Sequence, residues 1–380
     1  MKKIGIITIL KTNNYGAELQ AFALQKKLNL IGYNAEIIDY LFYKNKNHKR
    51  EKISYPFYHF PFKKKIKEYI LPMYEKIRSI PHYKELKLRN KGFEKFHEKY
   101  TKFSAQTYKS YSQLYDQAPD YDIYCVGSDQ VWNPNCYTSL NPYFLTFAPK
   151  GKKRISYASS FGISSIPNNA KSFYRKGLID LNAISVREKT GAYLIKELIG
   201  KEAKVVVDPT LLLTVNDWRN IANYSKVPNF QYILLYVLKD STYITQIAQK
   251  LSKELDIKIV RICKGAFKQD KRNSGIINII DAAPDDFIGL FSKAQYVLTN
   301  SFHGTVFSIL FNKNFYTILK KGKDNNSRQI DLLNNLGIEN RIIYESETIK
   351  TSTINYTFCN KQIEVLRKDS ENYLINAIEK

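Results

Sequence analysis

A polar corner follows an apolar strand late in the sequence. In the segment YVLTNSFHGTVFSILF, residues 296–311, an apolar run leads into Ser301, His303 and Gly304 and then into an apolar helix. A helix start offers unpaired N–H groups and a partial positive charge, and glycine lets a ligand approach the backbone. These features predict an anion site beside His303, which can both give and take a proton. A purely structural histidine is the alternative.

A second polar corner, GSDQVWNP at 127–134, also follows an apolar strand. Asp129, Gln130 and Trp132 offer a carboxylate, an amide and an aromatic face, a combination that suits a sugar. An aspartate in a loop often serves only to form a turn, so that interpretation stays open. In the corner at 11–16, Asn14 is a further candidate for contact with a sugar or a phosphate.

The elements that position these corners alternate between strands and helices. The first forty residues predict a βαβ unit, and four later apolar strands each end in polar residues, as in an open α/β sheet that binds ligands at its carboxyl edge. The corner at 11–16 lacks the GxGxxG fingerprint. We expect an N-terminal Rossmann-like domain at 1–215 with a basic helical insertion at about 41–115. A second such domain at 225–360 and a C-terminal helix at 361–380 follow.

The charge of the chain is concentrated in one segment. The 380 residues carry a formal net charge of +24, and Lys44–Lys99 holds 17 Lys and Arg against 6 Asp and Glu. Such a basic and aromatic segment suits an anionic membrane or a single-stranded nucleic acid. We favour a solvated helical insertion. Neither a membrane nor a nucleic acid would explain the polar residues at the strand ends. We expect no nucleic acid, and we keep peripheral membrane contact as an alternative because it could coexist with catalysis.

The sequence predicts a globular, cytoplasmic protein, with the inner face of the membrane as the place of any peripheral contact. It contains no apolar run of about 18 residues, and MKKIGIITIL lacks the pattern of a secretory signal. The four cysteines are scattered, and no histidine spacing matches a metal site. We therefore expect no metal and no bound cofactor.

Several motifs together resemble the polysaccharide pyruvyl transferase family. They are TNNYGAELQAFAL, VGSDQVWNP, ISYASSFG, SVREK, VVVDPTLLL and VLTNSFHGTVFSILF, in the order that the family has them. The resemblance covers most of the chain except the insertion and the C-terminal tail. It implies a GT-B-like α/β fold, with two Rossmann-like domains whose parallel sheets face each other across a cleft.

The resemblance also implies a reaction. Family members transfer a pyruvyl group from phosphoenolpyruvate to two hydroxyls of a sugar, forming a cyclic ketal on a polysaccharide, such as a capsule or exopolysaccharide, or on its lipid-linked precursor. Arg187 and His303 match the family's phosphoenolpyruvate-binding arginine and histidine. Planar arginine donors suit a carboxylate, and a helix start or a cation suits a phosphate. Asp208, just before a proline, looks like a chain-turning residue.

The chain departs from the family pattern two residues before the histidine. Some members carry an arginine there, whereas this chain has Ser301. Another cation is then needed, and Lys323 and Arg328 are the candidates, although their loop also reads as a solvated turn. The rival function is that of a nucleotide-sugar-dependent glycosyltransferase of the same fold.

Overall fold

The protein consists of two parallel β-sheets, each covered by helices. The computed structural model describes residues 1–43, 45–49, 51, 77, 79–136, 139–238, 241–263, 275–323, 326–349 and 352–380. The two sheets belong to successive halves of the chain, so the fold divides into an N-terminal and a C-terminal domain.

The N-terminal sheet has the strand order β3-β2-β1-β4-β5, and all its neighbours pair in parallel. Its strands are β1 (Lys3–Ile7), β2 (Asn34–Tyr40), β3 (Phe103–Tyr108), β4 (Ile123–Val126) and β5 (Lys153–Ser156). A short parallel pair, β6 (Ser185–Val186) and β7 (Lys204–Val205), continues beyond β5 through isolated bridges. Because β1 and β4 are buried on both faces, they read as unbroken apolar runs.

The C-terminal sheet has the order β10-β9-β8-β11-β12-β13, again parallel throughout. Its strands are β8 (Tyr232–Tyr236), β9 (Lys258–Ile262), β10 (Ile276–Ile279), β11 (Tyr296–Thr299), β12 (Asn314–Leu319) and β13 (Ile342–Tyr344). They lie inside the predicted range 225–360. This strand order, which reverses between β8 and β11, is that of a doubly wound nucleotide-binding sheet and opens a crevice at the carboxyl ends of those strands.

Helices connect the strands and cover both faces of the sheets. They are α1 (Tyr15–Leu30), α2 (Tyr83–Tyr100), α3 (Tyr111–Asp116), α4 (Asn168–Ile179), α5 (Lys189–Ile199), α6 (Pro209–Leu212), α7 (Val215–Arg219), α8 (Thr242–Leu255), α9 (Pro284–Lys293), α10 (Phe302–Leu310), α11 (Ser327–Asn335) and α12 (Tyr356–Glu379). Local signals start several of them: Asn14 caps α1, Thr214 and Asp217 form a capping box on α7, and Pro284 begins α9.

An aromatic interface joins the two domains. The ring of Tyr15 stacks on Phe287 with 5.0 Å between centroids, and its hydroxyl donates a hydrogen bond to the Ala282 carbonyl at 2.8 Å. Trp218 packs edge-on against Phe307 at 4.9 Å. These side chains belong to one buried apolar cluster that contains residues of both sheets. Large aromatic groups buried in this way contribute strongly to holding the domains in one arrangement.

The C-terminal helix α12 returns from the second domain to the first. Arg367 Nε donates to the Leu211 carbonyl at 2.7 Å, and Ser370 Oγ accepts from Val207 N at 3.0 Å. At its end, Glu379 pairs with Lys2 at 2.6 Å. The helix begins at Tyr356, five residues before the predicted start, and its contacts fix the segment that leads into α6.

The predicted insertion at 41–115 is wrong at its C-terminal boundary. Residues 103–108 form β3, an edge strand of the N-terminal sheet, and α3 follows it. The helical expectation holds for α2. Within the basic segment Lys44–Lys99, residues 44, 50, 52–76 and 78 lie outside the described residues. Among the helices that the structure does describe, none is both long and apolar enough to cross a membrane.

Candidate active site

Four polar side chains reach one point from the carboxyl ends of both sheets. Asp129 follows β4, Arg187 follows β6, Asp208 follows β7, and His303 lies in the first turn of α10, just after β11. The first three belong to the N-terminal domain and His303 to the C-terminal domain. Together with Arg328 of α11, they form a group that we call the charged cluster.

Asp208 is the centre of the charged cluster. Its Oδ2 atom accepts a hydrogen bond from Arg187 Nη1 at 2.6 Å and from Ser128 Oγ at 3.3 Å, and it lies 3.6 Å from His303 Nε2. Its Oδ1 atom accepts from the backbone N and the hydroxyl of Thr210, at 3.0 and 2.7 Å. One buried carboxylate therefore holds an arginine, a helix start and the histidine of the other domain.

The electrostatics of Asp208 follow from these contacts. Burial alone would raise the pKa of the carboxyl, because it removes the charged form from water. His303, Arg187 and the Thr210 hydroxyl outweigh burial and hold the pKa of Asp208 well below its usual value. The carboxylate is therefore charged at neutral pH.

Arg187 is buried with its charge retained. Burial opposes the charge, but Asp208, Asp129 and Glu188 outweigh it, and the pKa of Arg187 is raised above its usual value. Its Nη2 atom lies 3.4 Å from Asp129 Oδ1, and its guanidinium carbon lies 4.6 Å from the centroid of the Phe302 ring. Arg187 Nε has no hydrogen-bond partner among the described residues.

Arg328 is a second buried guanidinium, 5.6 Å from the same Phe302 ring. With the Gln130 amide turned so that its oxygen faces the arginine, that oxygen accepts from Nη2 at 3.0 Å and Nη1 at 3.2 Å. No carboxylate of the described residues forms an ion pair with Arg328. Burial, reinforced by the neighbouring charge of Arg187, lowers the pKa of Arg328 to about 10. An anion bound beside Arg328 would offset both the cost of burying its charge and the repulsion from Arg187.

His303 lies between the two domains. Its ring packs edge-on against Phe302 with 5.3 Å between centroids, and its Nδ1 side lies against Gly16 of α1, where any side chain would overlap the imidazole. His303 Nε2 points toward Asp208 but has no hydrogen-bond partner among the described residues. This nitrogen is buried.

Two clefts border the charged cluster. A pocket of about 160 Å³ is lined by Arg187, Asp208, Phe302 and Arg328, among others. A larger opening of about 840 Å³, which we call the polar cleft, lies on the N-terminal domain and includes Asp129 and Gln130 in its wall. Asp129 is thus a member of the charged cluster that also lines the polar cleft. Gln130 lines the same cleft and contacts Arg328 of the cluster.

The sequence matches the family model for polysaccharide pyruvyl transferase over residues 14–319. The chain belongs to the polysaccharide pyruvyl transferase family. The matched range contains every strand from β2 to β12 and, of the charged cluster, all members except Arg328. No curated protein sequence matches the chain.

Solved structures of similar fold process or bind nucleotide sugars. MnaA of S. aureus in complex with UDP aligns with a TM-score of 0.52 and 14% identity, covering 98% of this chain and 90% of that chain. The UDP-GlcNAc 2-epimerase of Methanocaldococcus jannaschii aligns with a TM-score of 0.50 and 13% identity, covering 99% of both chains. The Neisseria meningitidis UDP-GlcNAc 2-epimerase bound to UDP-GlcNAc gives 0.50 and 11%, covering 99% and 94%. These similarities confirm the predicted GT-B-like fold of this pyruvyl transferase family member.

The structure brings five of the ten predicted site residues together. His303, Arg187, Arg328, Asp129 and Gln130 converge as described, and their roles stay predictions. Asn14 lines the polar cleft, while its side chain accepts from Gly16 N and caps α1. Lys323 is exposed on the turn before α11 and lines neither cleft.

One sequence expectation needs correction, and two other predicted residues have structural roles. Trp132 is fully buried, donates from Nε1 to the Tyr143 carbonyl at 2.9 Å and packs among aromatic rings, so it cannot serve as a sugar platform. A side chain at Gly304 would strike Thr299, so this glycine is required for packing, and its predicted contact with a ligand stays a prediction. Ser301 caps α10 by accepting from Gly304 N at 3.3 Å, which gives it a structural role.

Asp208 is the residue that sequence reasoning missed. The segment VVVDP ends an apolar strand with an acid, and the other site segments also end their strands in polar residues. The proline after Asp208, however, gives the acid a sufficient local explanation as a turn former. The structure confirms that local role, since Asp208 caps α6, and adds the contacts with Arg187 and His303. Within the described residues, no group of three or more His, Cys, Asp or Glu side chains is placed to hold a metal ion.

Proposed function

We propose that this protein transfers a pyruvyl group from phosphoenolpyruvate to two hydroxyls of a sugar in a polysaccharide or a lipid-linked glycan precursor. The product is a cyclic ketal, and phosphate is released. The observation that supports this proposal most directly is the pair of buried guanidiniums, Arg187 and Arg328, on either side of Phe302 with His303 beside them. Among the described residues, no carboxylate forms an ion pair with Arg328, so its guanidinium is available to an oxyanion.

Phosphoenolpyruvate carries a phosphate and a carboxylate on one small carbon skeleton. Guanidinium groups bind both kinds of oxyanion through paired N–H donors, and burial strengthens these charge-assisted bonds. Arg187 and Arg328 both line the pocket, and their buried Nε atoms lack partners among the described residues. In this proposal, the pocket between the domains takes the donor substrate.

The reaction starts with a proton delivered to the methylene carbon C3 of phosphoenolpyruvate, which leaves an oxocarbenium-like centre at C2. One sugar hydroxyl attacks C2 and loses its proton. The C2–O bond to phosphate then breaks, and the second hydroxyl closes the ring and loses its proton. Of the two protons released by the hydroxyls, one balances the proton gained by C3 and the other leaves with the phosphate.

His303 is the residue that we assign to the first proton transfer. Its Nε2 atom has no hydrogen-bond partner among the described residues, and Asp208 on one side and Gly16 on the other fix the ring. Asp129 lies between Arg187 and the polar cleft, where it can accept a proton from an attacking hydroxyl. Asp208 touches both Arg187 and His303, so it acts as a positioning residue.

Thermal unfolding with and without phosphoenolpyruvate tests the donor. A ligand that binds only the native state raises its stability, by about 2.7 kcal/mol at a concentration of 100 times Kd. We expect phosphoenolpyruvate to raise the Tm of the wild type and to do so far less in R187A and R328M. The control is R219A, at an exposed arginine of α7, which keeps the full rise.

The same measurement separates the rival function. A nucleotide-sugar-dependent glycosyltransferase would be stabilised by UDP or another nucleoside diphosphate, and phosphoenolpyruvate would have no effect. That pattern would overturn the proposal, as would a rise with phosphoenolpyruvate that R187A and R328M both retain.

A further inference from the structure

We propose that helix α2 braces the corner at 11–16 against His303, and that Arg89 of this helix is the positioning residue through which it acts. This inference rests on the proposed function, because it concerns the histidine to which we assign the proton transfer. Gly16, at the end of the corner, lies so close to the imidazole that an added Cβ would overlap His303 Nδ1. The position of the corner therefore limits where the ring can lie. The same helix forms one wall of the polar cleft.

The backbone of the corner needs support from outside. Lys11 and Asn13 have φ angles of 55° and 53°, in the left-handed region that residues other than glycine rarely adopt. Such conformations persist only where the surrounding structure holds them, and they cluster at sites where function depends on a fixed geometry. Two of them within three positions indicate that the corner is held by contacts with other segments.

Arg89 supplies two of these contacts. Its Nη2 atom donates to the Asn13 carbonyl at 2.6 Å, and its Nε atom donates to the Tyr15 hydroxyl at 3.2 Å. The guanidinium carbon lies 5.1 Å from the centroid of the Tyr15 ring and 4.9 Å from that of Phe93, and the residue is only 4% exposed. Because a guanidinium presents its donors in a rigid plane, this one side chain fixes both residues relative to α2.

The brace also reaches the C-terminal domain, to which the histidine belongs. The Tyr15 hydroxyl accepts from Arg89 and donates to the Ala282 carbonyl at 2.8 Å. The helix α2 meets that domain directly at Gly92, where an added Cβ would lie 2.7 Å from the Ala283 Cβ atom. The corner and α2 are therefore held against the domain that carries the imidazole.

The same helix holds the corner at a second point. His97 Nε2 lies 2.7 Å from Glu18 Oε2, and Glu18 Oε1 accepts from Thr12 N at 3.1 Å. Asn90 Oδ1 accepts from Asn13 Nδ2 at 2.7 Å. A reacting group that is supported by fixed neighbours of this kind keeps its productive geometry.

The first readout of the test is the environment of the His303 ring. In protein labelled with nitrogen-15 histidine, the imidazole signals of His303 are those that H303N lacks. We expect these signals to shift in R89M and to shift less in R89K, because lysine keeps a charged donor but not the planar pair. A role confined to stability would leave the signals of the folded protein unchanged.

The second readout is turnover, measured as phosphate release with a p-nitrophenyl hexoside that the wild type accepts. We expect kcat to fall about 10- to 100-fold in R89M, since a small displacement of a reacting group costs rate, and to recover in part in R89K. Stabilisation by phosphoenolpyruvate, measured on the same samples, stays at the wild-type level and reports separately on the proposed function.

The matched control is R341M. Arg341 is another buried arginine that holds backbone, since it donates to the carbonyls of Ser352 and Thr353 at 3.2 and 3.1 Å. It lies at the amino end of β13, whereas His303 follows the carboxyl end of β11. We expect R341M to lose stability while kcat and the His303 signals stay unchanged.

The two Arg89 variants and the control decide the outcome together. Unchanged His303 signals in both Arg89 variants, wild-type kcat in both, or equal changes in R341M would overturn the inference. If R89M does not fold, R89K alone decides by the same criteria.

Discussion

The charged cluster and the polar cleft lie side by side and are built in opposite ways. The cluster consists of buried side chains from both domains. Asp208 contacts Arg187 and His303, and the Arg328 guanidinium lies over the Phe302 ring. The cleft belongs to the N-terminal domain, is open to solvent and is lined by six asparagines and Gln130. The difference teaches that the two substrates we propose place different demands on one site. A small, multiply charged donor needs buried cations, whereas a sugar needs many weak hydrogen bonds.

The largest effect that we expect concerns the stability of the charged cluster. Removing one partner of a buried ion pair leaves the others uncompensated, which typically costs about 3–5 kcal/mol. D208A should therefore lower the free energy of unfolding by about that amount, measured by urea denaturation. D180A, at an exposed acid on the surface, should cost under about 1 kcal/mol. Equal losses in the two variants would contradict the central position of Asp208.

The same carboxyl predicts an acid dependence of stability. Because the folded-state pKa of Asp208 is depressed, its contribution is present above the unfolded pKa of about 3.9 and is lost as the pH falls below it. Wild-type stability should thus decline more steeply below pH 4 than that of D208N, which lacks the titrating group. Parallel pH profiles, measured by denaturation at each pH, would contradict this assignment.

Turnover should depend strongly on His303. General acid catalysis contributes about 10²–10⁴-fold, so H303N should reduce the rate of phosphate release with a sugar acceptor by a factor in that range. The affinity for phosphoenolpyruvate should change much less, because the guanidiniums remain. A variant with normal turnover would remove the histidine from the reaction and leave the cluster as a binding site only.

Gly16 offers a way to misplace the histidine without removing it. A methyl group at this position would overlap the His303 ring, although alanine is otherwise favourable in a helix. We expect G16A to lower kcat by about 10²-fold while phosphoenolpyruvate still stabilises the protein. The matched control is G191A in α5, where the added Cβ meets Val186 at 3.2 Å and the neighbours need to give only slightly. Equal kcat values in the two variants would show that the position of the ring is unimportant.

The smallest effect that we expect is at the margin of the cluster. Lys323 is exposed and lines neither cleft, so K323A should change the affinity for phosphoenolpyruvate by less than about twofold. A loss of affinity in K323A as large as that in R328M would mean that the donor site extends to the turn before α11 and includes an exposed charge.

Sequence patterns were sufficient for most of the fold because the central strands are buried on both faces and read as apolar runs. The exception, β3, lies at the edge of its sheet, and its residues FSAQTY are mostly half-buried and polar. Such an edge strand has no apolar run to identify it, so the segment was assigned to the insertion. The helical wall of the cleft was predicted as a helix but not as part of a site.

The site was only partly predictable because its contacts join distant segments. Arg187 and His303 could be named from motifs, but the contact between Asp208 and His303 joins residues 95 positions apart in different domains. Trp132 looked available for a sugar because exposure depends on how the loop packs, and the loop turns the indole inward to reach the Tyr143 carbonyl. Local spacing carries no information on either arrangement.

Isothermal titration of phosphoenolpyruvate into the wild type and R328M tests the central claim most directly. Arg328 is a buried guanidinium of the charged cluster that forms no ion pair with a carboxylate of the described residues, and methionine keeps much of its apolar volume. The account predicts saturable binding with one site per chain in the wild type and a loss of at least tenfold in affinity in R328M. Binding of equal strength in both proteins, or binding of UDP but not of phosphoenolpyruvate by the wild type, would contradict it.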